Sequence, residues 1–411
     1  MTAYVDCGPA SICQNHASPD NYLFVDLNVC QPQTTTCVKI DHVHVSTAIS
    51  GLRILASALS AAEQAQGVSL TLTPEPDPSA PSGSGNTLAD CVQLPTESGV
   101  GTAFGSVVTA VVQITGQSVN ETTTVPVPIQ LIATPTTSSP KPSCDQTGFI
   151  NTVADLGANG VIGIGPLMYD CSGSGCVTQY YSCTPAGNCS ANISAAPSDP
   201  AVLVTNPVTK FATDNNGVII ELTTAVDPTQ GAPSYQGTIV FGIGTESNNA
   251  LTGVKTVLAA DPSSGAITTT YTLQGQSQGT QFTNSWFDTG SYANLFTDSG
   301  IPTCQPNSPS NPLATFYCPS TALNLQATVT GSGGTGSATV SFTVANAQTL
   351  VSGSSIVFSS IAAQPPADGY GGTNPFIWGL PFFFGQNVYI GFTGASVANG
   401  SSTVNGPFYA F

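Results

Sequence analysis

Runs rich in Val, Thr and Ile recur along this chain, and each is soon cut by Gly, Pro, Asn or Ser. That alternation is the tightest constraint on its fold. Gly adds entropic cost to a helix and Pro removes a backbone donor, so with 42 Gly and 31 Pro few segments can stay helical. β-branched runs bounded by such breakers form strands joined by turns. The expectation is an all-β chain with few short helices. One helix is expected near Ala56 to Gln66, where Ala, Leu, Glu and Gln are favourable and Gly67 supplies a stop.

The 411 residues suffice for two large lobes. Charge excludes some partners. With 5 Lys+Arg against 22 Asp+Glu, the chain has no basic patch for nucleic acid. No apolar run reaches the length of a membrane span. The 12 Cys fall largely into close pairs: Cys7/Cys13, Cys30/Cys37, Cys171/Cys176, Cys183/Cys189 and Cys304/Cys318, with Cys91 and Cys144 left as a sixth. Even numbers at short spacing predict disulfides rather than zinc, hence an oxidising compartment: extracellular, periplasmic or cell surface. No leader is visible after Met1, so export implies one already removed. No cofactor or metal is expected, and oligomeric state is not readable.

Residues 20–55 read as a hairpin leading into a core strand, stapled by Cys30 and Cys37. Residues 73–90 read as a loop, 92–132 as several strands with Gly99, Gly101 and Gly105 near a hairpin tip, and 135–142 as a linker. Asn206 to Ile220 reads as the crossing into a second lobe, dividing the chain into 1–205 and 206–411. A weak duplication supports two similar lobes. Val43 to Gly51 is followed far downstream by Val161-Ile-Gly163, and Trp286 to Ser291 by Ile377-Trp-Gly379.

The stretch Trp286-Phe287-Asp288-Thr289-Gly290-Ser291 places a carboxylate after an apolar run, on a turn of Thr, Gly and Ser. With Gly160 to Gly165, Gly237 to Gly242 and Ile377-Trp378-Gly379, its order resembles the pepsin-like aspartic proteases. The chain is more closely similar to a bacterial family of exported pepsin-like proteins, through Gly51-Leu-Arg-Ile-Leu, Asn215 to Ile220, Phe241 to Thr245 and Trp378 to Gly385. The resemblance covers roughly 20–411. It implies a bilobal pepsin-like double β-barrel with a central cleft, in which two turns each bring one carboxylate to a shared proton. It also implies a flap over the cleft, for which Gly101, Phe104 and Gly105 are the candidates.

The first turn departs from that pattern. Where the family has Asp-Thr-Gly-Ser, this chain has Ser46-Thr47-Ala48-Ile49. A serine hydroxyl does not ionise usefully, and Ala48 replaces a glycine. Asp41 is the nearest acid, five positions before Ser46, and in a regular strand it points to the opposite face unless a bulge intervenes. Asp288 is therefore expected as a surviving, normally ionised half of a catalytic pair, bonded to Ser46 or water, with Thr47, Thr289, Gly290 and Ser291 supporting the turns. His42 and His44 are expected as exposed strand histidines rather than metal ligands. A Ser46–His44–Asp triad lacks the strained elbow such a nucleophile needs.

The function expected from the resemblance is an exported pseudoprotease that binds a peptide or protein without efficient hydrolysis. The alternatives are an acid endopeptidase with a substitute second carboxylate, and an extracellular structural or surface-assembly protein.

Overall fold

A computed structural model describes residues 1–13, 21–96, 99–116, 119–133, 148–171, 179–191, 200–251, 253–304, 312–366 and 372–411. The chain is mostly β. Among the described residues the strands form a 17-stranded sheet, a seven-stranded sheet and a two-stranded hairpin. The Thr2–Val5 strand pairs antiparallel with Tyr235–Phe241, so the large sheet draws on both halves of the chain.

Local expectations fare well where breakers and periodicity decide. Phe24–Cys30 and Cys37–Ser46 form the hairpin, with Cys30 opposite Cys37 and bonded to it. The Ala56–Gln66 helix ends on Gly67 in the left-handed conformation at φ 65°. Cys7–Cys13, Cys183–Cys189 and Cys304–Cys318 are also bridged. Cys91 and Cys171 are disulfide-bonded too. Their expected partners Cys144 and Cys176, like the linker at 135–142, lie outside the described residues. No helix among the described residues is long and apolar enough to cross a membrane.

The segment 73–90 is less irregular than expected. Thr73–Pro74 pairs with Val108 and Thr109, and the Thr87–Thr96 strand begins inside it. Both pairings are long-range and draw the segment onto the Gly99–Gly116 strand, which its Pro and Ser content does not reveal.

The duplication in the sequence has a counterpart in strand pairing. Val43 to Ser46 run parallel to Gly160 to Gly163, and that Gly160–Ile164 strand runs antiparallel to Ser50–Leu55. Ser50–Leu55 in turn runs parallel to Val127–Ile132. The second half repeats the scheme. Ser285 to Phe287 run parallel to Phe376–Trp378, which meets Asn294–Leu295 antiparallel, which runs parallel to Ala362–Ala363. Each central strand thus lies between the strand entering a turn and the strand leaving it.

Apolar burial holds both sets. Phe287, Phe296, Phe376 and Trp378 are fully buried, and Phe287 packs on Phe382 with ring centroids 4.5 Å apart. Removing a side chain of that size from water is worth about 1.5–3 kcal/mol.

Candidate functional site

Each turn is set by its strand. Phe287 anchors the end of the Thr280–Phe287 strand, and the Asp288 N–H donates to Trp378 O at 2.8 Å. The chain then folds back, with Ser291 N–H donating to Asp288 O at 3.1 Å. Each turn is also tied down from beyond its central strand: Gly165 N–H donates to Ile49 O, and Leu380 N–H to Ser291 O, both at 2.8 Å.

The two turns meet face to face. Asp288 Oδ1 accepts from Ser46 Oγ at 2.8 Å, Thr47 N–H at 3.2 Å and Gly290 N–H at 2.8 Å, while Oδ2 accepts from Ser291 Oγ at 2.9 Å. Two threonines cross the junction. Thr47 Oγ1 donates to Phe287 O at 2.8 Å and accepts from Thr289 N–H at 3.0 Å. Thr289 Oγ1 donates to Val45 O at 2.7 Å. Ser46, Thr47, Asp288, Thr289 and Ser291 are all buried. Gly290 is needed for this approach, since a Cβ there would lie 2.7 Å from Ser46 Cβ and 2.9 Å from Asp288 Oδ1. Ala48 sits on the other turn, its N–H donating weakly to Ser46 Oγ at 3.4 Å.

The histidines differ from expectation. Val25 pairs with Val43 but Leu27 pairs with Ile40, so Asp41 and His42 together oppose Asp26 in a bulge. His42 takes a left-handed φ of 46°. The bulge turns His42 toward Asp6 and Asp41, each 3.2 Å from a ring nitrogen, and leaves His44 buried. Neither is an exposed strand histidine. Burial works against the charge on His42, yet hydrogen bonds and charge from Asp41 and Asp6 lift its pKa to about 9. His44 is held down to about 4, chiefly by burial, with the Asp288 charge pulling the other way. Its ring lies edge-on to Tyr22 at 4.5 Å. A neutral, buried His44 is a packing group beside the turns.

Asp41 stays away from the site despite the bulge. Its side chain is 60% exposed, and it accepts from Asn159 Nδ2 at 2.8 Å. The candidate flap residues lie on the Gly99–Gly116 strand, where Gly101 pairs with Leu94 and Gly105 with Asp90. Phe104 is buried, edge-on to Tyr181 at 5.7 Å and to Phe149 at 6.4 Å. A ring that covers a cleft must be exposed, and Phe104 packs inward instead. Gly105 admits the backbone of Leu131, which a Cβ would meet at 1.8 Å.

Two groups escape the sequence reading. Tyr409 is buried, its hydroxyl pKa pushed up first by burial and then by the Asp288 charge. Arg53, 1% exposed, sits just after the first turn and donates from Nη1 to Ser50 O at 2.8 Å. Its Nη2 lies 2.9 Å from Asp170 Oδ2 and 3.3 Å from Asp90 Oδ2. Asp170 also accepts from Gln179 Nε2 at 2.7 Å and Tyr180 OH at 3.0 Å. Burial raises the pKa of both acids; for Asp170 the Asp90 charge adds to the rise, and for both Arg53 opposes it. Arg53 is the cation that both buried carboxyls face. The only sequence signal was an arginine inside an apolar strand, Gly51-Leu-Arg-Ile-Leu.

A family model matches residues 5–411. The chain belongs to the family described as "Protein of unknown function (DUF3443)". In this DUF3443 member the match takes in both turns and both central strands. No curated protein matches the chain. Among solved structures, the crystal structure of basic 7S globulin from soybean is similar at 10% identity and a TM-score of 0.41, over 94% of this chain and 92% of that one.

Proposed function

We propose that this protein is an exported pepsin-like pseudoprotease. Its lobes, 1–205 and 206–411, would flank a cleft that holds a peptide or protein without efficient hydrolysis. One observation carries the reading: Ser46 Oγ donates to Asp288 Oδ1 at 2.8 Å across two similarly built turns. An aspartic peptidase needs a second carboxylate there. It activates water between two acids, one acting as base and the other as acid. A hydroxyl supplies neither role in that range. A missing general acid or base costs about 10²–10⁴ in rate. The repeated strand scheme supports two like lobes. The disulfides among the described residues support an oxidising compartment. Asp41 is engaged elsewhere, which argues against its use as a substitute acid.

The test is a peptidase assay across acidic pH on the unaltered chain and on Ser46→Asp with Ala48→Gly. The unaltered chain should retain extended peptides without cutting them. The double variant should gain pepstatin-sensitive cleavage. Pepstatin-sensitive cleavage by the unaltered chain would overturn the proposal.

A further inference from the structure

A pocket of about 520 Å³ opens in the second half of the molecule, and none of the turn residues Ser46, Thr47, Asp288, Thr289, Gly290 or Ser291 lines it. One wall is the Ser337–Val344 strand, at the edge of the seven-stranded sheet. The other is the short Leu380–Phe383 helix with Phe384 to Gln386 after it. Trp378 and Asn294 contribute from the strands that frame the second turn.

The chemistry of the lining is selective. Phe342, Trp378, Phe382, Phe384 and Phe411 offer five aromatic rings. No lining side chain carries a positive charge, so a buried anion would find no countercharge. The formal charge of -17 further disfavours anions. The indole N–H of Trp378 is already used, donating to Thr269 Oγ1 at 3.0 Å. Asn294 is different. It is 1% exposed, and its Oδ1 accepts from Gly379 N–H at 3.1 Å. That bond fixes the amide orientation. The Nδ2 donor remains at the pocket wall, and no acceptor meets it among the described residues. A donor held at the wall of an aromatic pocket is placed to orient a ligand acceptor.

We propose that this pocket binds an uncharged, ring-bearing small molecule whose carbonyl or hydroxyl oxygen accepts from Asn294 Nδ2. The volume suits such a ligand, since small-molecule sites span about 300–1,000 Å³ with apolar walls and a few placed polar groups. The rings supply affinity through burial, and Asn294 supplies orientation. The site is independent of the proposed cleft and does not rest on it.

The probe is Prodan, a neutral naphthalene ketone whose emission shifts to the blue when it leaves water. The full chain should bind it saturably, with a blue shift. Dimethylaminonaphthalene, which keeps the rings and lacks the ketone, should compete about tenfold more weakly, the scale of one buried hydrogen bond. Ala225 is an exposed residue on the pocket wall. Ala225→Trp should lower Prodan affinity at least about tenfold by filling the space with an indole, about 1.4 kcal/mol. Its exposure makes the substitution compatible with folding, which circular dichroism verifies. Non-saturable binding, equal affinity for the two naphthalenes, or undiminished binding to Ala225→Trp would each overturn the proposal.

Discussion

The two turns share one frame and differ in what fills it. Ser46 pairs in register with Gly163, and Phe287, just before Asp288, pairs with Trp378, just before Gly379. The strands leaving the turns also correspond, with Arg53 opposite Val161 and Leu295 opposite Ile377. Yet the first turn carries a hydroxyl where the second carries a carboxylate, Ala48 where the second has Gly290, and Arg53 where the second has Leu295. Backbone register and close-packed glycines therefore maintain the geometry, while the chemistry at matched positions has diverged. The first turn leans on a buried charge cluster, the second on aromatic packing.

Making the first turn resemble the second should break this balance most severely. Arg53→Leu strands two buried carboxyls without their cation and should cost about 3–5 kcal/mol, read by urea unfolding. A loss below about 1 kcal/mol would mean the cluster is not the prop of the first turn.

The glycines should respond unequally. Gly290→Ala pushes a methyl into Ser46 and Asp288 and should cost about 1–3 kcal/mol. Ala48→Gly should change stability by about 1 kcal/mol or less, through chain entropy alone. Equal shifts in thermal midpoint would dissolve the contrast.

Ser46→Ala removes one of the donors to Asp288 and should cost about 1–2 kcal/mol, since three other donors remain. Calorimetry of the variant measures this directly. An unchanged melting profile would show that the cross-turn hydroxyl bond contributes nothing.

In pH dependence, two histidines of one strand should act in opposite directions. His42 has its pKa raised to about 9, so its contribution is complete below the unfolded value near 6.5 and is lost as pH rises toward 9. Solvent around Asp6 and Asp41 weakens this contribution. His44 has its pKa lowered to about 4, so the folded state loses stability as pH falls from about 6.5 toward 4. His42→Gln should flatten the alkaline arm of the melting profile and His44→Phe the acid arm. The reverse assignment would contradict the bulge that separates them.

Local chemistry determined much of this protein from sequence. Breakers and β-branched runs marked the strands, Gly67 marked the helix end, and close cysteines marked four bridges. The Asp288 turn was legible because an acid, a threonine and a glycine sit together after an apolar run. What only tertiary structure decided involves residues far apart in the chain. Asp90 and Asp170 meet Arg53 from separate strands and loops, so no spacing announces their cluster. The bulge at Asp41 and His42 comes from pairing with another strand, and it reset which face each histidine uses. Phe104 turned inward because Phe149 and Tyr181 arrive beside it. Ser46 and Asp288, 242 positions apart, became hydrogen-bond partners only when the two matched turns were brought together.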